Sequence, residues 1–150
     1  MVNQVLYEFD TNGLLSKDYS NPSGTVVVAS TLHTAYTYDT TKSGDNFTKR
    51  LRLLTMKYPS GKTLTYTYGT SGSVDDLLGR VTDIKDGSTS LVQYVYNGVA
   101  TPIKTTYPQP NLVLDYTAST ALDRFGQIID HAWKKSTTSI LNIKHGYDRV

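Results

Sequence analysis

The sequence predicts an all-β protein, an antiparallel meander of repeated β-hairpins that forms a curved strip. Three observations predict this fold: a composition that disfavours helices, a short aromatic motif that recurs along the chain, and a turn signal about halfway between successive motifs. The 150 residues are enough for one ordinary domain, and only 38% of them are hydrophobic. A chain this polar indicates a thin core.

The composition favours strands over helices. The chain has 22 Thr, 13 Ser and 12 Tyr but a single Glu, Glu8. Threonine and tyrosine fit a pleated, half-solvated surface, whereas good helix formers are scarce, so a helical bundle is excluded. No stretch approaches the roughly 20 apolar residues of a membrane-spanning helix. Residues 1–10 also lack the basic and apolar segments of a signal peptide.

Charge and cysteine content exclude further classes of protein. The chain has no Cys, so it has no disulfide framework, thiolate metal site or cysteine nucleophile. Its 15 basic and 13 acidic residues give a net charge of +2. This charge is too small for the electrostatic footprint of a dedicated nucleic-acid-binding protein, and we expect no nucleic-acid partner.

A short aromatic motif recurs through the chain. Each clear copy has an aromatic residue, any residue, a second aromatic residue and then Asp or another turn former. Copies begin at positions 7, 36, 66, 94, 114 and 145, so most steps lie close to 29 residues; the last two copies are degenerate. The motif residues are Tyr7, Phe9 and Asp10; Tyr36, Tyr38 and Asp39; Tyr66, Tyr68 and Gly69; Tyr94, Tyr96 and Asn97; and Tyr147 and Asp148. Such a period predicts repeats that need their neighbours for stability.

A turn signal lies roughly midway between successive motifs. The signals fall at residues 21–24, 59–61, 86–87, 108–111 and 134–137. Each period therefore predicts two strands and two turns, and about eleven strands fit the chain. Because such turns join strands that are neighbours in sequence, the strands should pair as antiparallel hairpins.

Residues alternate between two faces within each predicted strand. Leu64, Tyr66 and Tyr68 share one face of an extended segment, and the threonines between them share the other. Rings at i and i+2 can ladder with those of the next repeat, at about 0.5 to 1.5 kcal/mol per aromatic pair. We expect an aromatic spine of this kind. The Asp, Asn or Gly that follows closes the strand, by a left-handed backbone or a bond to its own backbone.

These features resemble the YD repeats of the RHS family. Residues 7–15 follow its pattern Y-x-Y-D-x-x-G-R-L except that Leu14 replaces the arginine, and segments 78–84, 125–128 and 146–149 are similar to parts of it. The resemblance covers nearly the whole chain. It implies a non-catalytic structural scaffold, part of a β-shell that encapsulates or displays an attached polypeptide such as a toxin.

The resemblance also implies a domain organisation and a location. Residues 1–150 would form a single array, incomplete at both ends, with approximate units 7–35, 36–65, 66–93, 94–113 and 114–150. The parent protein would be secreted or exposed at a cell surface, and the partners would be flanking repeats or the encapsulated polypeptide. An open sheet leaves unpaired backbone groups at its edges, from which we expect self-association.

The sequence assigns no catalytic, cofactor-binding or metal-binding residue, and we expect no enzyme activity. The imidazoles of His33, His131 and His145 are not accompanied by a nucleophile elbow, a zinc-protease helix, a phosphate loop or a dinucleotide fingerprint. Structural roles are therefore favoured, with His145 in place of the first Tyr of a repeat. Asp75 and Asp76 lack calcium-loop spacing, and we expect solvated turn carboxylates.

One alternative function stays open, a carbohydrate-binding or cell-surface-binding module. Aromatic faces lined by hydroxyls suit sugar rings, which makes Tyr66 and Tyr94 candidate ligand-facing residues. The basic cluster at 49–52 adds Arg50 and Arg52 as candidates for phosphate or sulfated sugar, although an outer surface guarded by charge is the favoured interpretation. Residues 46–48 fit a glycosylation sequon.

Overall fold

Eleven strands and one short helix make up the described part of the chain. The computed structural model describes residues 3–39, 51–118 and 120–148. The elements are β1 (Gln4–Phe9), β2 (Leu15–Asn21), β3 (His33–Tyr38), β4 (Leu53–Lys57), β5 (Thr63–Thr67), α1 (Val74–Leu78), β6 (Asp83–Asp86), β7 (Thr89–Asn97), β8 (Thr101–Tyr107), β9 (Leu112–Asp115), β10 (Asp130–Lys135) and β11 (Thr138–Lys144).

The strands form one open antiparallel sheet. Their spatial order is their sequence order, from β1 at one edge to β11 at the other. Each strand pairs antiparallel with the next, for example β4 with β5 through Met56 and Leu64. The prediction of an all-β antiparallel meander is confirmed. A meander follows because each connection joins strands that are already adjacent, so no strand crosses over the sheet.

The predicted turns join the strands of successive hairpins. Between β4 and β5, the Tyr58 amide donates to the Lys62 carbonyl at 2.8 Å, and Gly61 takes a φ of +87°. A residue without a Cβ adopts this backbone angle without strain. Between β10 and β11 the turn is narrower than predicted: it consists of Ser136 and Thr137, because the two preceding lysines remain in β10.

The aromatic motifs all lie at one end of the sheet. The four clear copies close β1, β3, β5 and β7, and the copy at 145–148 directly follows β11. Because strand direction alternates in an antiparallel sheet, every odd-numbered strand ends on the same side. We call this side the motif end. The opposite side, with the short hairpin turns, is the turn end.

The motif end carries a helix that the sequence did not predict. Helix α1 lies in the connection from β5 to β6; the side chain of Ser73 caps its first turn, and Gly79 ends it in a left-handed conformation. A helix of five residues is too short to show a 3.6-residue period or to be stable alone. Its position therefore depends on contacts with the sheet.

Few apolar side chains are fully buried, as the composition predicted. Within the described ranges the buried apolar residues are Tyr19, Tyr68, Val92, Tyr116, Ala121 and Ala132. The ring of Tyr19 lies 4.7 Å from that of His33, and its hydroxyl donates to Glu8 at 3.2 Å. A single sheet thus buries tyrosine rings and satisfies their hydroxyls at its surface.

Candidate functional site

A tyrosine hydroxyl makes the same hydrogen bond at three places along the motif end. Tyr68 donates to the Leu53 carbonyl at 2.7 Å, and Tyr96 donates to the Val81 carbonyl at 2.7 Å. Tyr147 donates to the carbonyl of residue 128 at 2.9 Å. Each bond ties the end of an odd-numbered strand to the start of the preceding strand. We call each such place a repeat junction.

The first of these, the Arg52 junction, is built around a buried guanidinium. Arg52 directly precedes the acceptor Leu53, and its side chain is 9% exposed. One nitrogen lies 3.0 Å from a carboxylate oxygen of Asp39, and the other lies 2.8 Å from Asp76. The guanidinium carbon lies 4.5 Å from the centre of the Tyr68 ring. Arg52 therefore joins the motif Asp of one repeat to the motif Tyr of the next.

Charge and burial act in opposite directions at the Arg52 junction. Burial opposes the ionisation of Arg52, but hydrogen bonds to Asp76 and Asp39 outweigh it and raise the pKa of the guanidinium. Burial also raises the pKa of the Tyr68 hydroxyl, and the nearby guanidinium partly offsets this rise. The cation and the neutral phenol are thus the stable forms at neutral pH.

The Arg80 junction repeats the arrangement 28 residues later. Arg80 directly precedes the acceptor Val81, and its guanidinium carbon lies 5.0 Å from the centre of the Tyr96 ring. It forms an ion pair with Asp75 and donates to the Gly98 carbonyl. Both junctions place the guanidinium over a motif tyrosine whose hydroxyl bonds to the carbonyl of the next residue, but Arg80 pairs with one carboxylate where Arg52 pairs with two.

Helix α1 connects these two junctions. Its adjacent residues Asp75 and Asp76 pair with Arg80 and Arg52 respectively. Asp76 also accepts the amide of Gly72 at 2.8 Å and is 4% exposed. The connection from β5 to β6 therefore fixes two successive repeats relative to each other.

Two expectations about these residues are wrong. Asp75 and Asp76 are not solvated turn carboxylates, because each pairs with an arginine and Asp76 is buried. Arg52 does not face a ligand or guard an outer surface, because two carboxylates hold it inside. Arg50 and the sequon at 46–48 lie outside the described residues.

The aromatic spine is replaced by arginine contacts. Within one motif, the rings of Tyr94 and Tyr96 lie 6.2 Å apart. Among the described residues, however, no close ring pair joins the clear motif copies to one another. The reason is that an even-numbered strand separates successive motifs, which places them roughly 10 Å apart. Guanidinium groups occupy that space at two junctions.

The remaining motif tyrosines differ in exposure. Tyr66 and Tyr94, the candidate sugar-facing residues, are half-buried, as is Tyr38. Tyr36 donates to Asp18 at 2.7 Å, and this bond together with burial raises the pKa of Tyr36 to about 12. The exposed motif rings of β1 and the closing copy, by contrast, lie near the two edges of the sheet.

The turn formers close their strands in two ways. The carboxylate of Asp10 accepts the amides two and four residues later, both at 2.8 Å, and these bonds, that from residue 14 foremost, lower the pKa of Asp10. Gly69 instead takes a φ of +81°. Asn97 ends β7 and is followed by Gly98, which has a φ of +62°.

The turn at Asp10 has a second copy at Asp123, of which the sequence pattern indicated only segment 125–128. Asp123 accepts the amides two and four residues later, again both at 2.8 Å. Gly13 and Gly126 hold the third position after each Asp, with φ of +78° and +80°. Thr120 and Leu122 stand where the motif has its two aromatic residues, so this copy lacks the aromatic pattern. The shared D-x-x-G spacing was the available signal.

The histidines pack against other rings. The Nδ1 of His131 lies 2.6 Å from the hydroxyl of Tyr116. His145 stacks at 6.5 Å on Tyr147, as expected for a residue in place of the first Tyr of a motif. Among residues 3–39, 51–118 and 120–148, no group of three or more His, Asp or Glu side chains is placed to hold a metal ion. In the same ranges no helix has the length and apolar character needed to cross a bilayer.

Among the surface cavities of the described residues, three are further candidate sites. Two lie at the turn end on either side of Tyr58, with volumes of about 340 and 590 Å³. The third, of about 520 Å³, lies at the motif end against Tyr147.

Comparison with known proteins adds no relative. No protein-family model matches the chain, and no curated protein matches it. Within the chain, the Arg52 junction is similar to the Arg80 junction, and the turn at Asp10 is similar to that at Asp123.

Proposed function

We propose that the chain is a non-catalytic structural scaffold, a section of an RHS-type YD-repeat shell that encapsulates or displays an attached polypeptide. One observation carries the proposal: the Arg52 and Arg80 junctions both place an arginine over the ring of a motif tyrosine, and helix α1 pairs with both arginines. Repeated units that contact only their neighbours build a sheet that grows by addition of further units. In this proposal the parent protein is secreted or exposed at a cell surface.

The junctions perform the mechanical part of this function. A hairpin such as β4–β5 buries little apolar surface, so its own contacts do not fix its angle to the next hairpin. A guanidinium held between Asp39, Asp76 and the Tyr68 ring has few alternative positions, since moving away from either carboxylate breaks an ion pair between buried groups. The junctions therefore set the spacing of successive hairpins, as a wall requires.

Protease protection tests the scaffold function. The reading frame that contains this sequence is expressed in full, and limited proteolysis is followed by mass spectrometry. A wall protects the polypeptide attached to it, and Arg52→Leu, which removes a buried cation from the sheet, should expose that polypeptide to cleavage. The surface variant Lys62→Leu should not. Equal cleavage in wild type and both variants would contradict enclosure.

The two edges of the sheet are the proposed surfaces for flanking repeats or a second copy of the chain. Val5, Tyr7 and Phe9 of β1 are each more than half exposed. All seven residues of β11 are exposed, including Ile140 and Ile143. Such apolar edges with unpaired backbone groups favour strand addition.

Sedimentation velocity over a wide concentration range tests self-association through these edges. The wild type should form larger species, and Val5→Lys with Ile143→Lys should shift it toward monomer because a lysine at an edge disfavours pairing. A monodisperse monomer at every concentration would contradict this part of the proposal.

Glycan recognition is the second candidate function, and the structure favours Tyr58 over Tyr66 and Tyr94 as its aromatic residue. The cavity of about 340 Å³ at the turn end is lined by Tyr58, His33 and Lys57 together with the loop at 28–32. An exposed ring beside polar side chains suits a sugar. Glycan-array binding that Tyr58→Ala abolishes, and Tyr66→Ala and Tyr94→Ala leave unchanged, would support it; no binding to any glycan would exclude it.

A further inference from the structure

We infer that the cavity against Tyr147 is a binding site for a guanidinium group, the side chain of an arginine presented by another polypeptide segment. The inference goes beyond the scaffold function. It rests on a comparison of this junction with the two that already contain an arginine.

The main chain places Gln127 where the other junctions have arginine. The amide of Asp39 donates to the Arg52 carbonyl at 2.9 Å, and the amide of Asp123 donates to the Gln127 carbonyl at 2.9 Å. In both places the next residue supplies the carbonyl that accepts the tyrosine hydroxyl. Gln127 is therefore the equivalent of Arg52, and it carries a neutral amide instead of a cation.

The ring at this junction lacks the cover that the others have. Tyr68 is 8% exposed beneath Arg52, whereas Tyr147 is 49% exposed. The first ring of the motif is present at this junction. The His145 ring lies 6.5 Å from that of Tyr147, much as the Tyr94 ring lies 6.2 Å from that of Tyr96. Within residues 3–39, 51–118 and 120–148, no guanidinium lies over the face of the Tyr147 ring as Arg52 and Arg80 lie over Tyr68 and Tyr96.

The cavity has the partners that a guanidinium requires. Its volume is about 520 Å³, and its lining includes Tyr147, Asp123 and Asp148. The amides of residues 125 and 127 donate to Oδ1 of Asp123, and no hydrogen bond from the described part of the chain reaches Oδ2. A ring face beside carboxylates matches the arrangement that holds Arg52 between Tyr68 and two Asp residues.

The ligand is an arginine side chain and not a lysine. A guanidinium is planar, stacks on aromatic faces and donates two parallel hydrogen bonds to a carboxylate, whereas an ammonium is a compact and strongly hydrated charge. Arg124 and His145 also line the cavity, and the guanidinium of Arg124 lies 4.6 Å from the centre of the Phe125 ring. The positive charge of Arg124 opposes an incoming cation and weakens binding. We therefore expect a dissociation constant on the order of millimolar for an isolated guanidinium group.

The experiment is an NMR titration of the full chain with N-acetyl-arginine amide and, separately, N-acetyl-lysine amide at equal ionic strength. Saturable shifts are expected at the amides of Gly126, Gly146 and Tyr147 with the arginine probe, and binding of the lysine probe should be at least about five-fold weaker. Gln127→Arg should fill the site from within and abolish the shifts. Tyr147→Leu should also abolish them, while Tyr58→Leu, at the turn end, should not.

Three results would overturn the inference: equal affinities for the two probes, no saturable shift in the wild type, or an unchanged arginine response in Gln127→Arg. The amide spectrum of each variant without probe shows whether it is folded. Loss of the arginine response leaves the scaffold proposal intact, because protease protection is a separate measurement.

Discussion

The centre of the sheet and its last hairpin contain the same motif in different surroundings. At the centre, Tyr68 lies beneath Arg52, and the charged side chains of that junction are almost completely buried. In the last hairpin, every residue of β11 is exposed and half of the Tyr147 side chain is accessible. The hydroxyl hydrogen bond is the same in both.

The difference shows which residues do what at a junction. The motif itself specifies where a strand ends and gives the hydroxyl its acceptor. Burial depends on the residue at position 52, 80 or 127, before the acceptor carbonyl, and on a connection that supplies carboxylates to it. The last hairpin has the strand end and the hydroxyl hydrogen bond, but its tyrosine is not buried.

Removing the central cation should have the largest effect. Arg52→Leu takes the guanidinium from two buried carboxylates, and we expect a loss of about 3 to 5 kcal/mol in the free energy of unfolding. Urea denaturation at neutral pH measures it. Lys62→Leu breaks the exposed pair with Asp86 and should cost no more than about 1 kcal/mol. Equal losses in the two variants would erase the contrast between a buried junction and an exposed ion pair.

A smaller loss is expected at the Arg80 junction. Arg80 pairs with one carboxylate, and Asp75 is a third exposed, so solvent already screens the pair. Arg80→Leu should cost about 1.5 to 3 kcal/mol in urea denaturation, the value of hydrogen bonds to a charged group. A loss as large as that of Arg52→Leu would show that the number of buried carboxylates does not set the stability of a junction.

Two glycines with the same backbone angle offer a third test. Gly69 and Gly126 have φ of +81° and +80°, so alanine at either should cost about 1 to 2 kcal/mol. At Gly69 an added Cβ would also lie 2.9 Å from the Ser73 hydroxyl and 3.1 Å from the Asp75 Cβ, whereas at Gly126 nothing lies within 4 Å. The melting temperature of Gly69→Ala should therefore be lower than that of Gly126→Ala. The reverse order would mean that the connection containing α1 moves to accommodate the added Cβ at little cost in stability.

The smallest expected effect is on stability at alkaline pH. The bond from Tyr36 to Asp18 raises the pKa of Tyr36 to about 12, above the ordinary value of 10.0. The folded chain therefore holds the Tyr36 proton more tightly than the unfolded chain does. The contribution of this hydroxyl to the free energy of unfolding is complete below pH 10 and is lost as the pH rises toward 12. Unfolding free energies measured across this range should fall less steeply for Tyr36→Phe. An unchanged slope would show that the hydrogen bond to Asp18 does not raise the pKa of Tyr36.

The sequence was sufficient to predict the fold and the ends of most strands. The period of two around Tyr66 and the Pro or Gly in the turns at 59–61 and 86–87 are local signals, and each of them acts within a few residues. Local signals of this kind are enough for a meander, because each strand pairs with its neighbours in sequence.

The junction partners were not predictable in the same way. Asp76 lies 24 residues from Arg52 in sequence and contacts it only because α1 folds back on the motif end. An arginine next to a strand is usually exposed, which is why Arg52 was expected on an outer surface. The five residues of α1 contain no sequence signal that predicts either the helix or its two ion pairs.

The number of strands has a consequence for assembly. With eleven strands of alternating direction, β1 and β11 run the same way. A second copy shifted along the sheet would therefore meet the first in a parallel pairing, whereas a twofold axis through like edges gives an antiparallel one and keeps both faces continuous. Pairs of copies would then form through one edge, and growth beyond a pair would need the other edge to make a second contact of different strength.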